Sequence, residues 1–238
     1  MLNKKRDAIT LIFLVILFLV INYSFLDKKA ESFLKGYKTE DVFVDRVIDG
    51  DTIVTGNRSI RLLGINTPER GELYYNEAKS FLERRVLGKN VTLEFAGDRK
   101  DKYGRTLAYV FESDENINVE IVRNGFANYY FYSGRDKYSD DLLEVWKSCM
   151  NNKVNLCKPS RDICANCIAI RDNEIVNSCS FSCDVSGWWI KGEGREKFIF
   201  KETLSPNAKT GFSLDLENSG GGLFLRDDSG DLVLWESY

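Results

Sequence analysis

Phe43-Val44-Asp45-Arg46-Val47-Ile48-Asp49-Gly50-Asp51-Thr52-Ile53-Val54-Thr55-Gly56-Asn57-Arg58-Ser59-Ile60-Arg61-Leu62-Leu63-Gly64-Ile65 is the stretch on which the fold turns. Phe43, Val44, Val47 and Ile48 come before the turn pair Asp49-Gly50, and Thr52, Ile53 and Val54 come after it. Asn57 marks a second turn ahead of Ile60, Leu62, Leu63 and Ile65. Apolar runs bounded by such tight turns predict three strands in a meander of about 25 residues.

Downstream, Ala78, Phe81, Leu82 and Val86 share one face of a predicted helix over Asn76 to Val86, with charges opposite and Gly88 at its end. Val91, Leu93 and Phe95 alternate as a strand, and Thr106 to Phe111 forms another after the turn Tyr103-Gly104. Asn118 is expected to cap a short helix that stops at Gly125, and Ser139 a last helix carrying Leu142, Leu143 and Trp146. The order β-β-β-α-β-β-α-α predicts a mainly β (α+β) architecture over residues 40–148. Five strands with about three helices suit a closed Greek-key barrel of the OB type.

Residues 149–163 read as a polar, cysteine-containing linker. Beyond it, Ile168-Ala169-Ile170, Trp188-Trp189-Ile190, Phe198-Ile199-Phe200, Leu223-Phe224-Leu225 and Leu232-Val233-Leu234 are short apolar runs between Gly- and Asp-rich turns. They predict a small β-sandwich over residues 164–238. Trp188 and Trp189 are read as core and rim packing in it, and no catalytic set is visible there.

Composition narrows the chemistry. The 238 residues are 43% hydrophobic and 29% charged, enough apolar material for one large domain or two small ones. The net charge of −3 offers no global attraction for a polyanion, so an anionic substrate must meet a local arrangement of cations. The chain has no histidine. That excludes Ser-His-Asp hydrolases, Cys-His proteases, HExxH metalloproteases and any imidazole base. Catalysis would rest on carboxylates, Arg, Lys, Tyr, or a metal held by oxygen or thiolate.

Lys4, Lys5 and Arg6 precede an uncharged stretch from Ala8 to Leu26. As a helix it would span ~28 Å, close to the ~30 Å hydrocarbon core of a bilayer. Residues 1–26 are therefore expected to form a transmembrane signal anchor, with 27–39 a charged linker. The alternative is a signal peptide cleaved near Ala30-Glu31-Ser32, leaving a secreted protein. The leading basic residues orient the C-terminal domains outside the cytoplasm. Cys149, Cys157, Cys164, Cys167, Cys179 and Cys183 account for all the cysteines. An even set outside the cytoplasm reads as disulfides, with the pairing open. Cys164-x-x-Cys167 with Cys179-x-x-x-Cys183 also approaches four-thiolate zinc spacing.

Polar residues gather at the predicted strand ends: Asp49-Gly50-Asp51-Thr52, then Arg61 ahead of Asn66-Thr67-Pro68-Glu69, then Asp101-Lys102-Tyr103-Gly104-Arg105. Each alone is an ordinary turn or surface charge. Together, in this order, Val47 to Thr52, Arg61 to Glu69 and Asp101 to Tyr109 resemble the staphylococcal nuclease (thermonuclease) family, and Val122-Arg123-Asn124-Gly125-Phe126-Ala127 adds a fourth match. The resemblance covers about residues 40–147. It implies an OB barrel and calcium-dependent cleavage of DNA and RNA phosphodiesters. Its catalytic residues fall on Arg61, Glu69 and Arg105. One Ca²⁺ would be held by Asp51, Asn66 and the carbonyl of Thr67. Lys102, Tyr103, Tyr130 and Tyr132 fall near the positions that contact substrate.

The physical logic agrees. Guanidinium forks match phosphate oxygens and keep their proton, and a hard cation prefers oxygen ligands. Asn66 stands where the family carries a second carboxylate, which implies weaker metal binding or a changed metal preference, because affinity follows ligand charge. A catalytically weak nucleic-acid or surface-binding protein on the same domains is the alternative reading. Asn173 to Asn177, Asp184 to Trp188 and Leu225 to Val233 resemble the lamin-tail domain, which implies an immunoglobulin-like sandwich of unknown partner.

Overall fold

Val47 faces Ile53 across the Asp49-Gly50 turn, and Ile53 faces Ile60 across the next one, so the expected meander forms in register. The computed structural model describes residues 38–95, 100–131, 134–192, 196–214, 216 and 221–238. The expected anchor (1–26) and Tyr132 lie outside them. Among the described residues, no helix is long and apolar enough to cross a membrane.

Among the described residues, nine strands and three α-helices make up the first half: β1 (Lys38–Phe43), β2 (Arg46–Asp49), β3 (Thr52–Thr55), β4 (Arg58–Leu62), β5 (Ile65–Asn66), α1 (Tyr75–Val86), β6 (Asn90–Phe95), β7 (Thr106–Glu112), β8 (Glu115–Asn116), α2 (Ile117–Arg123), β9 (Asn128–Tyr129) and α3 (Ser139–Asn152). The main sheet runs β1-β6-β7-β4-β3-β2, with β8 hairpinned onto β7 and β5 paired with β9. β4 and β7 are parallel, with Arg61 beside Leu107. The architecture is mainly β with three helices.

The expected hydrogen-bonded closure into a barrel is absent among the described residues, because β1 and β2 are the two ends of the sheet order. They are consecutive, separated only by Val44-Asp45. Val44 donates to Lys89 O while Asp45 donates to Val54 O, so the two halves commit their backbones to opposite neighbours.

Two helix starts also differ from expectation. Asn116, not Asn118, caps α2: its Oδ1 accepts from the backbone N–H groups of Asn118 and Val119. Asn118 is fully buried instead, accepting from Val110 N and donating to Leu63 O at 2.7 Å. A buried amide satisfied on both ends ties α2 to β7 and to the end of β4. Ser139 is the first residue of α3 rather than its cap, which is Tyr138; its hydroxyl bonds Asp136.

The second half contains β10 (Ile168–Arg171), β11 (Glu174–Asn177), β12 (Cys183–Asp184), β13 (Trp189–Lys191), β14 (Lys197–Ile199), β15 (Thr203–Leu204), β16 (Lys209–Gly211), β17 (Gly222–Arg226) and β18 (Leu232–Ser237). They form sheets β10-β11-β16, β12-β15 and β14-β13-β17-β18. The cysteines pair as Cys149–Cys157, Cys164–Cys183 and Cys167–Cys179. Trp188 is buried in this half's core and Trp189 is half-buried.

Strand β17 is buried along its whole length. Side chains alternate across a strand, and here each face serves a different core. Phe224 joins the cluster containing Ile53, Leu93, Tyr129 and Trp146, while Leu223 and Leu225 join the one containing Ile175, Trp188 and Phe200. Gly222 shares the Phe224 face, where a Cβ would lie 2.3 Å from the Tyr129 hydroxyl, so only glycine fits that approach. The run Leu223-Phe224-Leu225 is apolar on both faces because both faces are covered.

Candidate active site

The turn between β2 and β3 places Asp51 against the loop that leaves β5. Gly50 permits this: a Cβ there would meet Ala78 Cβ at 2.8 Å and Thr67 Cγ2 at 2.9 Å. Asp51 is buried. Its Oδ2 accepts from Thr67 N (3.1 Å) and Thr67 Oγ1 (2.9 Å), and its Oδ1 from Thr52 Oγ1 (3.0 Å). Arg61 lies opposite Thr52 in the β3–β4 ladder and reaches the same carboxylate, Nη2 to Oδ2 at 3.1 Å.

Arg61 is only 8% exposed. Its guanidinium also donates to Leu62 O (2.7 Å) and Ile65 O (2.8 Å), and Nη2 lies 3.4 Å from Asn66 Oδ1. The structure therefore brings Asp51, Arg61, Asn66 and Thr67 into one buried cluster.

Burial alone would raise the Asp51 carboxyl. The Arg61 charge and the Thr67 and Thr52 hydrogen bonds outweigh it and hold that carboxyl below its ordinary range. Asp49 is pushed up to about 6, first by burial and then by the Asp51 charge.

The side chains here that could ligate a cation offer oxygens, the Asp49 and Asp51 carboxylates and the Asn66 amide, although Arg61 Nη2 lies on both Asp51 Oδ2 (3.1 Å) and Asn66 Oδ1 (3.4 Å). Oxygen ligands suit a hard cation such as Ca²⁺. Among the described residues, the one cluster of three cysteine or acidic groups close enough to share an ion is Cys164, Cys179 and Cys183, whose sulfurs belong to two disulfides.

Glu69 is half-buried in the loop after Pro68. Its N–H donates to Glu72 Oε2 at 2.8 Å, and the Glu72 N–H returns to Glu69 O at 2.8 Å. Arg105 stands just before β7, beyond the residues that pair with β4. Its Nε donates to Asp101 Oδ2 at 2.7 Å, and its guanidinium lies 5.6 Å from the Tyr103 ring centroid. No hydrogen bond or ion pair among the described residues joins Arg105 to Asp51 or Arg61.

Lys102 extends over Tyr103, which is 64% exposed, so both sit on the open tip of the Asp101 turn. Tyr130 is half-buried, its backbone N–H bonded to Gly64 O at 2.7 Å.

Beside the Asn66-Thr67-Pro68 loop opens a small pocket, of about 30 Å³, that sequence reasoning missed. Its walls include Asn128, Trp189, Lys191 and Arg226 as well as Glu72. Arg226 is fully buried. It donates to Leu156 O and Gly230 O, and to Asn128 Oδ1 at 3.2 Å; Asn128 is the strand partner of Asn66. Desolvation lowers its guanidinium to about 10 despite the Asp231 and Asp227 charges. Only the run Leu223-Phe224-Leu225, apolar without alternation, hinted that its neighbour Arg226 would be covered.

Comparison with known proteins places these residues in context. Residues 59–158 match the family described as "Staphylococcal nuclease homologue". A thermonuclease of Staphylococcus intermedius is 34% identical over 168 residues, which is 65% of this chain and 98% of that protein. A thermonuclease of Staphylococcus hyicus is 30% identical over 165 residues, 64% of this chain and 98% of that protein. The SPbeta prophage-derived endonuclease YokF of Bacillus subtilis is 34% identical over 128 residues, 49% of this chain and 43% of that protein. Since nearly the whole of one thermonuclease aligns at this identity, the chain belongs to the staphylococcal nuclease family.

Proposed function

We propose that the protein is a calcium-dependent endonuclease hydrolysing phosphodiester bonds of DNA and/or RNA, tethered to a membrane by residues 1–26 with its folded part outside the cytoplasm. The observation that carries this reading is the buried contact of Arg61 with Asp51 beside Asn66 and Thr67, in a chain of nuclease relatives. Asp51, Asn66 and the Thr67 carbonyl would hold one Ca²⁺, which when bound would supply electrostatic stabilisation of phosphate oxygens.

The protein's own groups do the rest. Arg61 offers a charge to a phosphate oxygen, and Arg105, released from Asp101, offers a second. By the scale of a lost oxyanion donor, each would be worth ~3–4 kcal/mol in the transition state. Glu69 orients or deprotonates the attacking water. Lys102, Tyr103 and Tyr130 would flank the strand being cut, with Tyr103 open for base stacking, and Tyr132, outside the described residues, keeps the substrate role that the resemblance implies. The second half would serve as an immunoglobulin-like, lamin-tail-type accessory.

A second reading, a weak or inactive nucleic-acid binder, draws on two observations. Residue 66 is an amide, where the resemblance implies a second carboxylate, and Arg105 is engaged by Asp101. Incubating the chain with single-stranded DNA at millimolar Ca²⁺, then with EGTA, separates the two. Chelator-sensitive cleavage is expected, and its absence selects the binder. Glu69→Gln should cut turnover by about 10²–10³; wild-type rates in that variant would remove Glu69 from its role.

A further inference from the structure

The loop that carries Glu69 is held from the far end of the chain. Glu72 closes the loop by accepting the Glu69 N–H while donating its own N–H to Glu69 O. The Glu72 carboxylate is in turn gripped by two cations of the second half. Lys191 Nζ lies 3.6 Å from Oε2, and Lys197 Nζ lies 3.1 Å from Oε1.

These two lysines are direct strand partners on β13 and β14, so one ladder sets both heads. Lys191 is 3% exposed, which is rare for an ammonium unless it is paired. The Lys197 ammonium lies 5.1 Å from the Trp189 ring centroid, which limits its range of positions. A buried pair of this kind stabilises poorly for the desolvation it requires, but it fixes geometry well. No surface role explains a lysine placed at that depth and aimed at the nuclease loop.

We propose that Glu72, Lys191 and Lys197 form an in-chain clamp that sets the position of Glu69 relative to the Asp51–Arg61 cluster, making Lys191 and Lys197 positioning residues for hydrolysis. This rests on the role given to Glu69 above. The second half then works as part of the nuclease and not merely as a neighbouring module.

The test is a double-mutant comparison on the full chain, with kcat and KM measured on single-stranded DNA at millimolar Ca²⁺. Lys191→Met should lower kcat about tenfold with KM unchanged, as losses behind a positioned catalytic group commonly do. Lys197→Met, at the more exposed arm and safe for folding, should lower it about threefold. Lys191→Arg should restore most of the loss. In a Glu69→Gln background, the two Met variants should have no further effect, because they act through the group already removed. Equal losses with and without Glu69, or a rise in KM at constant kcat, would overturn the clamp. If Lys191→Met fails to fold, the Lys197→Met pair decides alone. A Glu69→Gln variant with full turnover would overturn the role of Glu69 itself, a distinct result.

Discussion

The two halves of this chain solve the same problem by different means. The first builds one large apolar cluster reaching from β1 to α3, with three α-helices laid against strands of two to seven residues. The second has strands of two to six residues, a smaller cluster, and two disulfides within it, Cys164–Cys183 and Cys167–Cys179. A region that small buries too little apolar surface to offset its chain entropy comfortably, and covalent links remove entropy from its unfolded state. The halves still meet through β17, whose Phe224 ring lies 5.1 Å from Trp146 and 5.5 Å from Tyr129.

The contrast can be broken hardest at the sulfurs. The two bridges close separations of 19 and 12 residues, each worth ~3 kcal/mol in the chain-entropy model. Replacing all four cysteines by Ala should free the amides of β10, β11 and β16 to exchange with solvent while β3, β4 and β7 stay protected. Equal loss in both sets, read by hydrogen exchange, would mean the halves share one stability.

Next comes the seam. Phe224→Ala should cost ~3–5 kcal/mol by denaturant titration, the range for an aromatic removed from a packed core. A cost under about 1 kcal/mol would show that β17 adds little to the first half.

The smallest effect is acid sensitivity across the Glu72 contact. Burial would raise that carboxyl, but the Lys191 charge, the Glu69 N–H and Lys197 bring it below its ordinary 4.5. Its contribution is complete above that value and fades as pH falls through the lower folded one. Between pH 5 and 3, values set by this ordinary carboxylate range, the wild type should lose on the order of 1 kcal/mol that Glu72→Gln does not lose. Identical acid curves would show that the contact is not electrostatic.

Local pattern carried much of this structure. The helix expected over Asn76 to Val86 occupies Tyr75–Val86, because its face of Ala78, Leu82 and Val86 is written at helical spacing. The meander around Gly50 was legible for the same reason, and its turn chemistry places Asp51 beside Thr67.

What could not be read depends on partners far away in sequence. Lys191 and Arg226 look like surface charges in Gly- and Asp-rich turns, and their burial is decided by Glu72 and by Asn128, 98 positions upstream of Arg226. Asn118 resembles a cap in the sequence because Asn116, two residues earlier, has the same chemistry; only the Leu63 and Val110 backbone groups tell them apart. The closed barrel was inferred from strand count, which does not register that the chain at Val44-Asp45 divides its bonds between two edges.

Because Phe224 and Leu232 belong to the apolar cluster of the first half, that cluster is finished only by residues made after all of its other members. While the ribosome is still adding them, Tyr129 and Trp146 lack the ring that will cover them. Emergence of β17 is thus the event that seals the first half, which cannot close its core before part of the second half has been made.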